Sequence, residues 1–78
     1  MIRGTVVKAT AGRDKGRFQV VLACEAGRVL VADGKVRKLA SPKRKNIRHL
    51  QITHQRIDLT EIHSDRALRK ALTMLDLM

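Results

Sequence analysis

The residues of this chain best suited to chemistry are its cations, which gather around one glycine-bracketed segment. Gly12 and Gly16 enclose Arg13-Asp14-Lys15, and Arg17 follows directly. Lys and Arg side chains bind phosphate oxygens through charge-assisted hydrogen bonds and fix position without reading base sequence. A second basic stretch follows near residue 43. The candidate binding residues are Lys8, Arg13, Lys15, Gly16, Arg17, Arg37, Lys38, Lys43, Arg44, Lys45, Arg48 and His49.

The histidines and the single cysteine raise the question of metal binding or catalysis. His49, His54 and His63 lack the spacing of a zinc site, and Cys24 is the only thiol that could join them. Cys24 also lies within an apolar run, where an activated nucleophile is not expected. We therefore expect no metal, no cofactor and no enzymatic activity.

Net charge is the strongest compositional feature. Seventeen Lys and Arg against seven Asp and Glu give a net charge of +10. Residues 1–56 hold fourteen of these cations and three acids, or +11, whereas residues 57–78 hold three cations and four acids, or −1. Such a surface is either solvated or bound to a polyanion, and its concentration in one region favours a nucleic-acid partner bound by the N-terminal residues.

Two runs of β-branched and apolar residues position the basic loop. We predict a first strand over residues 2–10 and a second over residues 17–25, paired antiparallel. Glycine at both ends of the intervening turn permits positive φ, so the loop can be tight. Strict alternation would place four side chains on one face of the second strand, namely Phe18, Val20, Leu22 and Cys24.

Further short strands follow the loop. A third strand is predicted over residues 28–32, and Asp33-Gly34 predicts a hairpin into a fourth strand over residues 35–40. Residues 43–49 are expected to cross over as a basic turn, with room for one short helical turn, before a closing strand over residues 50–53. About five short strands are too few for a sandwich. The predicted fold is mainly β, a small SH3-like barrel followed by one C-terminal helix.

The hydrophobic period changes near the C-terminus. Ser64 can cap a helix over about residues 65–76, with an apolar stripe that recurs at helical spacing. The stripe comprises Leu68, Ala71, Leu72 and Leu75. It could cover the barrel or meet another chain, and we expect it to pack on its own barrel because a small domain gains most from a cover. The predicted division is a barrel at residues 1–56 and an extension at residues 57–78, whose polar helix face could extend the binding surface through Arg66, Arg69 and Lys70.

The first two strands and their loop resemble a known motif. Gly4-Thr5-Val6-Val7, followed by Gly12-Arg13-Asp14-Lys15-Gly16-Arg17, is similar to the KOW motif of ribosomal proteins and transcription elongation factors. That motif consists of a hydrophobic strand, a G-x-D-x-G-K/R loop and a second strand. The continuation through residues 28–34, 42–45 and 50–53 is most similar to the family of eukaryotic-type large-subunit ribosomal protein fourteen and its bacterial relatives. The resemblance implies a KOW-type barrel that binds RNA at or near ribosomes.

The low aromatic content limits how the protein could recognise RNA bases. Phe18 is the only aromatic residue, and its position in the strand pattern predicts a core residue rather than a platform for stacking bases. The expected function is docking on structured RNA, above all ribosomal RNA, by phosphate contacts. The alternative is a protein-interaction module of the transcription or translation machinery, because KOW-like barrels also bind proteins.

The remaining expectations concern the cellular context. A single cysteine cannot form an intramolecular disulfide, which favours a reducing compartment. No signal peptide or membrane span is visible, so we expect a cytoplasmic protein that does not enter a membrane. We expect it to be monomeric, with RNA as its partner and ribosomal proteins as further partners.

Overall fold

One antiparallel sheet carries the basic loop, and a helix follows it. The computed structural model describes residues 2–76, which form five strands and a C-terminal α-helix. The strands are β1 (Thr5–Ala9), β2 (Phe18–Glu25), β3 (Arg28–Ala32), β4 (Lys43–Asn46) and β5 (Leu50–Arg56), and the helix is α1 (Asp65–Asp76). Two 3₁₀ turns occupy Ile47–His49 and Leu59–Glu61. The prediction of a mainly β fold with one C-terminal helix is confirmed.

The sheet is strongly curled. Its strand order is β4-β3-β2-β1-β5, so β4 and β5 lie at opposite edges. In a flat sheet those edges would be about 19 Å apart, at about 4.8 Å per strand. The chain nevertheless joins them through Ile47–His49 alone, and three residues of 3₁₀ helix rise only about 6 Å. The sheet must therefore curl enough to bring the end of β4 close to the start of β5.

Apolar side chains are buried on both faces of the sheet. On one face, β1, β2 and β3 contribute Val6, Val20 and Ala32 to a cluster that also contains Leu68 and Leu72 of α1. On the other face, a second cluster consists of Val7, Val21, Val29 and Val31, each at most 1% exposed. The helix covers only the first cluster, and Leu50 of β5 packs against the second.

A β-bulge alters the predicted alternation along β2. The pairing of β2 with β3 shifts between Val21 and Ala23, so Leu22 is an extra residue in the ladder. Beyond the bulge, Cys24 is opposite Val29, a member of the second cluster. Phe18 and Leu22 instead pack against the first cluster. The prediction that Cys24 shares their face is wrong, because the extra residue reverses the direction of the side chains that follow.

The fourth strand does not lie where the sequence predicts it. Residues 33–42 form a loop in place of the predicted Asp33-Gly34 hairpin and the strand at residues 35–40, and β3 pairs with β4 at Lys43–Asn46. Asp33 Oδ1 accepts hydrogen bonds from the backbone N–H of Lys35 at 2.8 Å and of Arg37 at 2.9 Å. These bonds fold the backbone back toward Asp33 and prevent an extended strand. β1 is also shorter than predicted, and β5 continues to Arg56.

The helix covers the range that its hydrophobic period predicts. Ser64 Oγ accepts a hydrogen bond from the backbone N–H of Ala67 at 3.1 Å, which caps the N-terminus of α1. Leu68 is completely buried and Leu72 is 6% exposed, both in the first cluster. Within residues 2–76, none of the helices has the length and hydrophobicity needed for a membrane span.

Candidate nucleic-acid interface

The loop between β1 and β2, residues 10–17, is a short, hydrogen-bonded extension of their ladder. The paired residues Lys8 and Phe18 are the last rungs on this side. Beyond them, the N–H of Ala9 donates to Arg17 O at 3.0 Å, and the N–H of Gly16 donates to Ala9 O at 2.8 Å. Gly16 adopts φ +87°, in the region that side chains disfavour, although a Cβ there would contact nothing within 4 Å. The glycine is therefore required by backbone conformation and not by lack of space.

Asp14 is the buried centre of the loop. Its Oδ2 accepts hydrogen bonds from Gln19 Nε2 at 3.2 Å and from Arg37 Nε at 2.9 Å, and Lys45 Nζ lies 3.4 Å away. Burial raises the pKa of Asp14, but the hydrogen bonds from Arg37 and Gln19 and the charges of Lys45 and Arg37 outweigh burial, so the pKa lies below its ordinary value. The carboxylate therefore stays ionised and joins the loop to β2, to the 33–42 loop and to β4.

Two of the predicted binding residues are consequently occupied within the protein. The Lys45 side chain is only 9% exposed and the Arg37 side chain 26%, and both face Asp14. A cation already paired with a buried carboxylate has less to gain from a phosphate than an exposed one. The structure thus makes Arg37 and Lys45 supports of the loop, a role that the sequence analysis did not assign to them.

A wide groove separates the loop from α1, and we call it the helix-side groove. Its volume is about 1130 Å³. Loop residues, the start of the 33–42 loop and α1 line it, and Phe18, Leu72 and Met74 add apolar surface. Its charged residues are Arg13, Asp14, Lys15, Arg17, Asp33, Lys35, Lys38, Arg66, Arg69 and Lys70. Eight cations against two carboxylates give this groove a net charge of +6.

The α1 side of this groove is fixed to the 33–42 loop by three contacts. Arg69 Nη1 donates to Gly34 O at 2.8 Å, and the N–H of Leu39 donates to Asp65 Oδ1 at 2.8 Å. Gly34 also packs directly on the helix, since a Cβ at this position would lie 2.3 Å from Asp65 O. The cations of α1 are therefore held in place relative to the 33–42 loop.

Arg17 both pairs with a buried carboxylate and lines the helix-side groove. Its Nε lies 3.6 Å from Asp33 Oδ2, and its side chain is 39% exposed. Asp33 is 4% exposed and uses its other oxygen to fold the 33–42 loop. Arg17 thus neutralises Asp33 while part of its guanidinium still faces the helix-side groove.

A second groove, the strand-side groove, lies on the other side of the loop. Its volume is about 540 Å³, and Ala11 and Gly12 form its border with the loop. Its charged and polar residues are Arg13, Asp14, Arg28, Arg37, Lys43, Arg44, Lys45, Asn46 and His49. Six cations against one carboxylate give a net charge of +5. Arg44 pairs with Glu25 at 3.7 Å, but both side chains are more than half exposed, so the pair is readily exchanged for another partner.

The structure brings most of the predicted binding residues to these two grooves, with two exceptions. Lys8 places its Nζ 5.5 Å from the centre of the Phe18 ring, and Arg48 is exposed on the 3₁₀ turn between β4 and β5. Neither lines a groove. Phe18 itself is half-buried against the first cluster and also lines the helix-side groove, so the one aromatic ring of the chain is mainly a packing residue and forms no array for stacking bases.

Two further cations line the grooves but are not among the predicted binding residues. Lys35 lines the helix-side groove and Arg28 the strand-side groove. Lys35 belongs to a predicted strand that does not form, and Arg28 begins β3. Arg66, Arg69 and Lys70 face the same groove as the loop. This agrees with the expectation that the polar face of the helix could extend a mainly N-terminal surface.

The described residues contain no group of three or more His, Cys, Asp or Glu side chains that could hold a metal ion. No protein-family model matches the chain, and no curated protein matches it significantly.

Proposed function

We propose that this chain is a non-enzymatic RNA-binding protein that docks on structured RNA through contacts with backbone phosphates. The observation that carries the proposal is the meeting of two basic grooves, with net charges of +6 and +5, at one rigid loop. Grooves lined by one sign of charge focus the electrostatic field and raise the local concentration of a polyanion. Asp14 does not oppose this field, because it is buried and neutralised by Arg37 and Lys45.

Contacts with phosphates, and not with bases, follow from the side chains available. Lys and Arg dominate both grooves, whereas the chain has one Phe and neither Trp nor Tyr. Sequence-specific recognition of RNA usually needs splayed bases stacked on aromatic rings. A surface of this composition is suited to an RNA whose phosphates are already fixed in space by folding.

We further propose that the curled sheet is an SH3-like barrel of the KOW type. Burial of Val7, Val21, Val29 and Val31 on the face without a helix supports it, because a sheet that curls on itself is needed to cover them. The position of the loop between β1 and β2 also agrees with the resemblance of residues 12–17 to the KOW motif. Large-subunit ribosomal RNA in a cytoplasm, with ribosomal proteins nearby, is the target that this resemblance favours.

Sedimentation of a cell lysate tests the ribosomal assignment. The protein should sediment with ribosomes or large-subunit precursors at low salt and move to the light fractions when salt is raised. The Arg13→Ala/Lys15→Ala variant removes two exposed loop cations and should be released at lower salt. Arg17 is left in place because it neutralises Asp33.

The matched control is Arg3→Ala/Arg56→Ala, which also removes two exposed cations but lies outside both grooves. It should sediment like the wild type. Wild-type protein that is free at low salt, or that travels with RNA polymerase, would contradict the ribosomal assignment and favour a protein-interaction module. Equal release of both variants would show that total charge matters and that the loop does not.

A further inference from the structure

Resting on that proposed function, we propose that the ligand is double-helical RNA, held with the loop over its minor groove and one basic groove on each phosphate strand. In this arrangement α1 and the 33–42 loop contact one strand, and β4 contacts the other. The proposal assigns the two grooves to a single ligand and makes the C-terminal helix part of the binding surface.

The first observation is that the two grooves are adjacent and separated only by the loop. Arg13 and Asp14 line both of them. The Cα atoms extend 27 Å along the longest axis, a span that one short duplex can cover. Two cationic grooves that meet at one loop match the two phosphate strands that border one groove of a duplex.

The second observation concerns the loop that separates the tracks. Its exposed cations, Arg13 and Lys15, have long polar side chains, and the one aromatic residue beside them, Phe18, is half-buried against the first cluster. The minor groove of A-form RNA is wide and shallow and presents 2′-hydroxyls, so it admits such a loop, whereas the major groove is too deep and narrow. The buried Asp14 carries no uncompensated charge that would repel the flanking phosphates.

A single strand would explain only half of this surface. One basic track is sufficient for one backbone, and single-strand binders add several aromatic rings, whereas this chain has one half-buried Phe. The helix-side track is also rigidly placed, because Arg69 and Asp65 fix α1 to the 33–42 loop. A preformed pair of tracks fits a ligand whose two backbones are themselves held at a fixed separation.

The test compares a blunt RNA duplex of about 16 base pairs with an unstructured single strand of the same length. One variant, Arg66→Ala/Lys70→Ala, weakens the helix-side track, and another, Lys43→Ala/Arg44→Ala, weakens the strand-side track. All four side chains are exposed, and Arg3→Ala/Arg56→Ala serves as the control with the same loss of charge. Circular dichroism and thermal melting check that each variant is folded.

For the duplex, both groove variants should lower affinity about tenfold at moderate salt and reduce the slope of log affinity against log salt by about 1–2, while the control changes little. For the single strand, at least one of the two groove variants should behave like the control. The inference is overturned, with the proposed function intact, if one groove variant leaves duplex binding unchanged or if both weaken single-strand binding equally. Failure of the wild type to bind either RNA would overturn the proposed function as well.

Discussion

Asp14 is the single residue on which the geometry of the basic loop depends most. Its carboxylate contacts Gln19, Arg37 and Lys45, which belong to three different segments of the chain. An uncompensated buried charge is strongly destabilising, so the carboxylate and its two cations require one another. The loop is held by this network of side chains as well as by the backbone conformation that two glycines permit.

Asp14→Asn should lower the free energy of unfolding by about 1–3 kcal/mol at neutral pH, since two partly buried cations lose their counter-charge. The difference from the wild type should depend on pH. The pKa of Asp14 is lowered by folding from an ordinary value of 3.8, so its stabilising contribution is complete above about pH 5 and is lost as pH falls through the folded pKa.

Chemical denaturation of both proteins between neutral pH and about pH 2 measures this dependence. The two stabilities should converge as pH falls through the folded pKa of Asp14, because the wild-type carboxyl group then becomes protonated. A difference that remains constant over the whole range would contradict an electrostatic role. It would then be attributed to the shape or hydrogen bonding of the side chain.

Among the elements, the 33–42 loop and α1 stabilise each other at Gly34. Gly34 and Gly27 have similar positive φ, +79° and +73°, but only Gly34 faces a backbone atom, with Asp65 O 2.3 Å from the position of a Cβ. The two glycines therefore separate the cost of backbone strain from the cost of a steric clash.

Gly27→Ala should cost about 1 kcal/mol, the lower end of the range for a residue held at unfavourable φ. Gly34→Ala should cost about 1–3 kcal/mol more, because α1 must move away from the loop. Denaturant unfolding measures both values. Similar losses for the two variants would show that the helix accommodates the methyl group and that its contact with the loop is weak.

The elements differ in how well the sequence predicts them. The β1–β2 pair was predictable because apolar runs and two glycines give local signals. β4 was not, since Lys43–Asn46 contains no apolar residue and charged edge strands avoid the alternation that reveals a strand. Asp33-Gly34 carries a hairpin signal, but hydrogen bonds to Asp33 and packing against α1 determine its structure.

For the molecule as a whole, the sequence predicted most of the cations that line the grooves. It did not predict which of them support Asp14 and which remain exposed. Composition and spacing identified most residues of the two grooves. Only the fold shows that Arg37 and Lys45 support Asp14. It also places Arg66 and Lys70, from the other end of the chain, in the same groove as the residues of the β1–β2 loop. Such roles depend on contacts between residues far apart in sequence, which local patterns do not encode.

The affinity for a structured RNA at increasing salt concentration tests the central claim most directly. If about five phosphates are neutralised, log affinity should fall against log salt with a slope of roughly −3.5 to −4.5. The Arg13→Ala/Lys15→Ala variant should give a shallower slope than the wild type, and Arg3→Ala/Arg56→Ala should not. A flat titration of the wild type would contradict phosphate docking by the two grooves.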